Sequence, residues 1–159
     1  MRLFALILIA VSAFAQDTAP PPAIELTPAE KQFQDSMENV KLTGFFTLGD
    51  SSELHDDGYT IVRVTKIKED TWKFQARIQY NKRDVALAMN LPVKFAGDTP
   101  VISLTDFAVP GFGSFTARVV MYNGTYAGTW ASAGGRAGSA PHGGTLFGKI
   151  VKIDAAAQQ

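Results

Sequence analysis

The chain has 159 residues, no cysteine, and 15 acidic side chains against 15 basic ones. This length suits one domain with its own hydrophobic core. Without cysteine, the chain cannot form disulfides, a thiol nucleophile or a thiolate metal site, so the fold depends on hydrophobic packing. Residues 17–57 carry most of the acid and residues 58–152 most of the base. We interpret the acidic segment as lying over the basic one, although a basic body could also meet an anionic surface.

Residues 1–15 have the pattern of an export signal. Arg2 gives a positive start, an apolar run extends from Leu3 to Val11, and a small-x-small cleavage site ends at Ala15. The apolar run is shorter than the roughly 20 residues that a membrane-spanning helix needs. The pattern therefore predicts a chain that is exported to the periplasm or secreted, without stable insertion in a membrane.

A linker and a short helix are predicted next. Residues 16–26 are rich in proline, which is typical of an extended linker. Thr27 to Glu30 then reads as a capping box with proline at the first helical position. The apolar residues that follow at helical spacing are Phe33, Met37 and Val40. This spacing predicts one amphipathic helix over 27–40, packed against the main body of the domain.

From Lys41 onward apolar and polar residues alternate, which is the period of a β-strand. The clearest run is 71–80, with one apolar and one polar face. The other runs are 42–48, 59–68, 85–95, 101–107, 112–122, 125–131 and 145–153. Because most of the turns between them are short, the predicted fold is all-β: about eight antiparallel strands in an up-and-down, calycin-like barrel over 41–153, with a flexible tail at 154–159.

One charged residue falls on the predicted inner face. A hairpin that turns at Glu69-Asp70 pairs Ile67 with Trp72 and places Arg63 inside, with Tyr59 and Ile61. The run 101–107 would place Asp106 inside as well, within reach of Arg63. A buried ion pair, or an arginine that reaches water at the rim, is the structural interpretation. In the functional interpretation, Arg63 fixes the anionic head of a small hydrophobic ligand with its paired donors.

Aromatic side chains could line the cavity that such a ligand needs. The candidates are Trp72, Phe74, Tyr80, Tyr126, Trp130 and Phe147. An eight-stranded barrel is just wide enough for its own side chains or for one small ligand, so these residues either fill the interior or line a site. The predicted ligand-binding set is Arg63, Asp106, Trp72, Phe74, Tyr80, Tyr126 and Trp130.

The sequence gives little support for catalysis. His55 and His142 are isolated, and no metal-ligand spacing is present. His55-Asp56-Asp57 could hold a cation, but an exposed acidic turn before a strand is a commoner use of such a tripeptide. The polar face of 71–80 also lacks the aromatic platforms of nucleic-acid-binding sheets. We therefore expect no enzyme, no metal or other cofactor, and no nucleic-acid partner.

The C-terminal part resembles small exported bacterial proteins of uncharacterised function. The two motifs that carry the resemblance are Tyr126-Ala127-Gly128-Thr129-Trp130 and Gly143-Gly144-Thr145-Leu146-Phe147-Gly148-Lys149-Ile150. It implies an exported, β-rich bacterial protein and no particular activity. Gly128-Thr129-Trp130 is also similar to the Gly-x-Trp element of lipocalins and the Gly-Thr-Trp of avidin-like barrels. In those families the element lies on the first strand, and no ligand residue is carried over from them.

These observations predict an exported, non-enzymatic binding module that carries a small hydrophobic or amphiphilic ligand inside its barrel. One alternative is a packed structural or interaction protein of the cell envelope. A hydrolase would need an acid, a base and a nucleophile that converge in space. An outer-membrane barrel would need an apolar outer face, and the short turns, the helix and the polar tail argue against it. The oligomeric state is not specified by the sequence.

Overall fold

A closed β-barrel with one preceding helix is seen in the computed structural model, which describes residues 24–80, 83–109, 113–133 and 142–153. The elements are α1 (Pro28–Ser36), β1 (Val40–Phe46), β2 (His55–Lys68), β3 (Thr71–Tyr80), β4 (Arg83–Ala96), β5 (Thr99–Val109), β6 (Gly113–Tyr122), β7 (Thr125–Ser132) and β8 (His142–Lys152). Each strand pairs with its neighbours in sequence, and β8 pairs antiparallel with β1 to close the barrel. The predicted eight-stranded up-and-down barrel is confirmed. The predicted signal at 1–15, most of the linker and the tail at 154–159 lie outside the described residues.

Helix α1 begins with the capping box that its sequence predicts. The backbone N–H of Thr27 donates to Oε2 of Glu30 at 2.9 Å, and the N–H of Glu30 donates to Oγ1 of Thr27 at 3.3 Å. The helix ends earlier than the predicted residue 40. Met37 is its C-cap, Asn39 adopts a positive φ of 49°, and Val40 already belongs to β1. The last residue of the apolar stripe is therefore a strand residue, buried in the barrel.

Helix α1 closes one end of the barrel, which we call the helix end. The ring of Phe33 packs edge-on against Trp72 and Phe95, with centroids 5.2 and 5.9 Å away. The carboxylate of Glu30 forms an ion pair with Lys66 of β2. Strand β8 also finishes at this end, where the N–H of Ile153 donates to the carbonyl of Asn39 at 2.9 Å. The helix is thus a fixed part of the domain.

The half of the interior next to α1 is filled by apolar side chains. The largest fully buried ones are Trp72, Met37, Val40, Val64 and Val93. Leu91 and Met121 complete the same cluster from β4 and β6. We call the opposite end, where Phe46 ends β1 and His55 begins β2, the far end. Any site for a ligand inside the barrel must lie toward that end, because the helix half is occupied by its own core.

A shift of register in β2 reverses the expected orientation of Arg63. The pairing of β2 with β3 is irregular between Ile61 and Arg63, and the extra residue changes the alternation of faces. Ile61 and Val64 are both buried although they are three residues apart, and Arg63 is exposed. Trp72 accordingly pairs with Lys66, not with Ile67 as predicted. The prediction that Arg63 lies inside the barrel is wrong.

Asp106 is displaced in a similar way on β5. The β5–β6 register shifts between Leu104 and Phe107, and Asp106 has a positive φ of 47°. Its backbone N–H donates to Oγ1 of Thr116 at 3.1 Å, and its side chain is exposed. The prediction that Asp106 lies inside is therefore wrong too, and the proposed ion pair with Arg63 has no place in the interior.

Candidate functional site

Two inward-facing glycines make room for a large side chain between the helix half and the far end. Gly44 of β1 pairs with Gly148 of β8, which in turn pairs with Tyr126 of β7. A Cβ atom on Gly148 would lie only 2.6 Å from Cε1 of Tyr126, so the ring rests against bare backbone. On the other side, Gly44 pairs with Asp57 of β2. The phenol of Tyr126 therefore reaches across β8 and β1 to Asp57.

The hydroxyl of Tyr126 donates to Oδ2 of Asp57 over 3.1 Å, and both residues are buried. Tyr59 lies close enough to Asp57 for the charge of the carboxylate to raise the pKa of its phenol. We call Asp57, Tyr59 and Tyr126 the Asp57 cluster. None of the ion pairs seen among the described residues includes Asp57. The cluster thus holds an acidic side chain inside the barrel with one neutral donor, the hydroxyl of Tyr126.

Tyr59 is the most exposed member of the Asp57 cluster. It pairs across the strands with Leu42, which is buried on the inner face of β1, so both side chains lie on the inner face of the sheet. The accessible fraction of Tyr59 is 39%, compared with 2% for Tyr126. Tyr59 is therefore the member that a small molecule could contact without displacing the core, whereas Tyr126 is covered.

Both phenols of the Asp57 cluster are held in the protonated form. Burial raises the pKa of Tyr59 and Tyr126 above the usual value of 10.0, and the nearby charge of Asp57 raises it further. Both hydroxyls therefore keep their protons throughout the physiological range. Because Asp57 accepts a hydrogen bond from Tyr126, the proton of that hydroxyl is directed toward the carboxylate.

The raised pKa of Tyr126 predicts a loss of stability in alkaline solution. Above about pH 10 the unfolded chain releases this proton while the folded chain retains it, so the free energy of unfolding falls by up to about 1.4 kcal/mol per pH unit for one phenol. We expect Tyr126→Phe to have a shallower fall between pH 10 and 11, measured by urea denaturation. Tyr122→Phe is the control, because Tyr122 is 64% exposed and should keep the wild-type slope. Equal slopes in both variants would contradict the assignment.

Aromatic rings continue from the cluster to the far end. His55 stacks on Phe46 with centroids 5.2 Å apart, Phe46 meets Trp130 edge-on at 5.8 Å, and Trp130 meets His142 at 5.4 Å. We call these four residues the aromatic row. Nε1 of Trp130 is buried without an acceptor, which costs about 1–3 kcal/mol. The wall beyond the Asp57 cluster is thus aromatic and includes two imidazole rings, and the indole N–H of Trp130 lacks a partner.

The predicted site residues divide between the two halves of the barrel. Trp72 and Phe74 are buried in the helix half, where the ring of Phe33 lies 5.2 and 6.3 Å from theirs, so they fill the core. Tyr126 belongs to the Asp57 cluster and Trp130 to the aromatic row. Of the predicted site residues whose side chains the structure describes, Tyr126 and Trp130 are the two that lie next to a polar interior group.

Two further aromatic candidates do not contribute to this region. Tyr80 lies in β3, but its side chain is outside the described part of the structure. Phe147 is 43% exposed on the outer face of β8, where its ring contacts Phe45 of β1. The prediction that Phe147 lines the cavity is wrong, because its neighbours Leu146 and Gly148 occupy the inner face.

Asp57 is the site residue that the sequence interpretation missed. It was assigned to an exposed acidic turn, whereas β2 begins at His55 and turns Asp57 inward and Asp56 outward. The signal was present, since Ile61, Tyr59 and Asp57 follow one alternating face of the strand. Extending the inner face of β2 by one more step would have included Asp57.

Two grooves flank α1 at the helix end. One has a volume of about 390 Å³ and lies between the helix, the β4–β5 turn and the β6–β7 turn. The other, of about 690 Å³, lies between the start of the helix and the β2–β3 and β4–β5 turns. Neither contains a member of the Asp57 cluster. We take the far half of the barrel as the candidate site, because it combines the buried carboxylate of Asp57 with the partly buried rings of Phe46 and Trp130.

Comparison with known proteins leaves the site to be interpreted from its own geometry. No family model, no curated protein and no solved structure matches this chain. Among the residues that the structure describes, no helix has both the length and the hydropathy to cross a membrane. Within the same residues, no three histidine, aspartate or glutamate side chains are grouped as metal ligands.

Proposed function

We propose that this protein is an exported binding module that holds a small amphiphilic ligand in the far half of its β-barrel. The observation that carries the proposal is the buried carboxylate of Asp57 on the inner face of β2, bonded to the hydroxyl of Tyr126 and next to the partly exposed side chain of Tyr59. Ligand sites are typically concave and apolar, with a few polar groups at fixed positions. The Asp57 cluster and the aromatic row supply these two components.

The arrangement supports a ligand with an apolar body and one polar head. Phe46, Trp130 and Leu146 provide partly buried apolar surface toward the far end. Asp57 and Tyr59 provide the polar contact beneath them. Because the helix half is filled by its own core, the body of the ligand would extend toward the far end.

Binding is favoured over hydrolysis by the chemistry of the cluster. The neighbours of the Asp57 carboxylate in the cluster are phenols whose raised pKa keeps them protonated, so the cluster offers no activated nucleophile. The export pattern of residues 1–15 supports a site of action outside the cytoplasm. Arg63 has no part in this proposal, since it is exposed.

Binding of N-phenyl-1-naphthylamine, a neutral apolar fluorophore, tests the proposal. We expect saturable binding with one site per wild-type chain. Leu146→Trp places a larger side chain on the inner face and should weaken binding at least tenfold. Phe147→Trp makes the adjacent change on the outer face and should leave binding unchanged. Circular dichroism would verify that both variants are folded.

Two outcomes would overturn the proposal. If the wild-type protein does not bind the fluorophore, the barrel is packed and the envelope interaction protein is the better interpretation. If both tryptophan variants lose binding equally, the fluorophore binds outside the barrel. Should Leu146→Trp fail to fold, Phe46→Trp makes a second enlargement of an inward, partly buried side chain.

A further inference from the structure

The Asp57 cluster presents negative charge to the head group of a ligand. We propose that it selects a cationic organic head, an ammonium group attached to a short apolar body. This inference rests on the proposed function, because it concerns the same site in the far half of the barrel. It also replaces the anionic head group that the sequence suggested.

The carboxylate of Asp57 has acceptor positions that the described protein groups do not use. A carboxylate offers about four lone-pair positions on two oxygens, and the hydroxyl of Tyr126 fills one of them. Buried charges in proteins are normally paired with an opposite charge. The ion pairs seen among the described residues leave Asp57 out. An ammonium group would supply both the missing charge and the missing donors.

An anionic head would meet a site of the wrong polarity. The hydroxyl proton of Tyr126 is directed at Asp57, so it is not free to donate to a carboxylate or phosphate. The charge of Asp57 would also repel such a group at short range. The cation that the sequence placed in this region, Arg63, lies on the outside of the barrel.

Aromatic rings favour an organic cation over a metal ion. The rings of Tyr59 and Tyr126 adjoin the carboxylate, and Phe46 and Trp130 lie in the wall beyond. An ammonium group is attracted to the faces of such rings. Calcium takes six to eight oxygen ligands, whereas the cluster supplies one carboxylate and two phenols. Among the described residues, no larger group of metal-ligating side chains surrounds Asp57.

The position of Asp57 limits the length of the ligand. It is the third residue of β2, so it lies about 7 Å along the strand from His55 at the far end. Deeper layers of the interior are filled by the core of the helix half. A body of about six carbon atoms therefore matches the distance from Asp57 to the end of the strand.

Three ligands with the same six-carbon body test the head group. Hexylammonium, hexanol and hexanoate would each compete with N-phenyl-1-naphthylamine at pH 7. For the wild-type protein we expect hexylammonium to bind at least tenfold more tightly than hexanol, and hexanoate to bind most weakly. Asp57→Asn should abolish the preference for hexylammonium. Asp56→Asn is the matched control, because its exposed side chain is next in sequence and faces outward.

The outcomes separate this inference from the proposed function. The inference of a cationic head group fails if hexanoate binds the wild-type protein as tightly as hexylammonium does, or if Asp57→Asn keeps the preference for hexylammonium. In either case, binding of the fluorophore by the wild-type protein would still support the proposed function. If the wild-type protein does not bind the fluorophore, the proposed function itself fails.

A second variant keeps the test decisive if Asp57→Asn does not fold. Tyr59→Phe removes the neighbouring hydroxyl and leaves the carboxylate of Asp57 in place. We expect this variant to keep the preference for hexylammonium over hexanol, whatever its overall affinity. If the variant binds hexylammonium and hexanol equally, the phenol and not the carboxylate selects the head group, and the inference is overturned.

Discussion

Replacing Trp72 with alanine is expected to lower the free energy of unfolding by about 3–5 kcal/mol. Trp72 has no exposed surface, and its ring lies 5.2 Å from that of Phe33 and 6.2 Å from that of Phe95. Its removal would leave a cavity where α1 meets the barrel. Small domains have a total stability of about 5–15 kcal/mol, so a large part would be lost. Urea denaturation followed by circular dichroism measures the effect.

Tyr122→Ala is the control for this substitution. It removes an aromatic side chain of similar size from the outside of the barrel, and 64% of that side chain is exposed. Its expected effect is within about 0.5 kcal/mol. The indole N–H of Trp72 has no acceptor, so a lost hydrogen bond does not contribute to the difference. Similar losses for Trp72→Ala and Tyr122→Ala would contradict the role of Trp72 in the core.

Replacing Gly148 with alanine is expected to cost about 1–3 kcal/mol and to disturb the Asp57 cluster. The new Cβ would lie 2.4 Å from the carbonyl oxygen of Thr43 and 2.8 Å from Cα of Gly44. Both are backbone atoms, which cannot move aside as a flexible side chain can. The ring of Tyr126 would also have to shift. We would measure urea denaturation and the tyrosine signal in near-ultraviolet circular dichroism.

Gly58→Ala, on β2, is a matched control. The nearest atom to its added Cβ is the carbonyl oxygen of Leu42 at 3.8 Å, an ordinary contact distance. This change should alter stability by no more than about 1 kcal/mol, in the stabilising direction if the backbone is unstrained. If Gly148→Ala is as stable as Gly58→Ala, the ring of Tyr126 does not rest on Gly148.

Alternation of apolar residues was sufficient to predict the barrel. The run 71–80 has one apolar face, and the other runs follow at short intervals, so each strand can pair with the next. Closure then removes the two exposed edges. The start of α1 could also be predicted from the sequence, because a capping box is a local pattern. The end of α1 could not be predicted, since the apolar spacing of Phe33, Met37 and Val40 continues across the boundary between helix and strand.

The orientation of Arg63 could not be predicted in the same way. A bulge adds one residue to a strand, and Val62 and Arg63 carry no turn residue to mark it. Every residue beyond the shift then changes face, so one missed bulge reverses the interpretation of Arg63. The predicted inward orientation of Asp106 is wrong for the same reason, a shift of register on β5. Both errors concern charged residues, whose placement inside a barrel should have suggested an irregular register.

Half of the candidate site was visible in the sequence. Tyr126 and Trp130 lie on the inner face of their strand, as the alternation predicts. The contact between Tyr126 and Asp57 depends on the pairing of β8 with β1 and on the absence of side chains at Gly44 and Gly148. Glycine inside a strand is a sign of close approach by another group. These two glycines were the clue to which residue Tyr126 would reach.

The helix end also determines how the domain can be attached to a surface or to another protein. Residues 24–27 lead into α1, and β8 finishes beside it, so the first and last described residues leave the barrel at the same end. A tether, a fusion partner or a sensor surface joined at either position would therefore hold the barrel by its base. The Asp57 cluster would then face away from the point of attachment, and immobilised protein should remain available to ligands in solution.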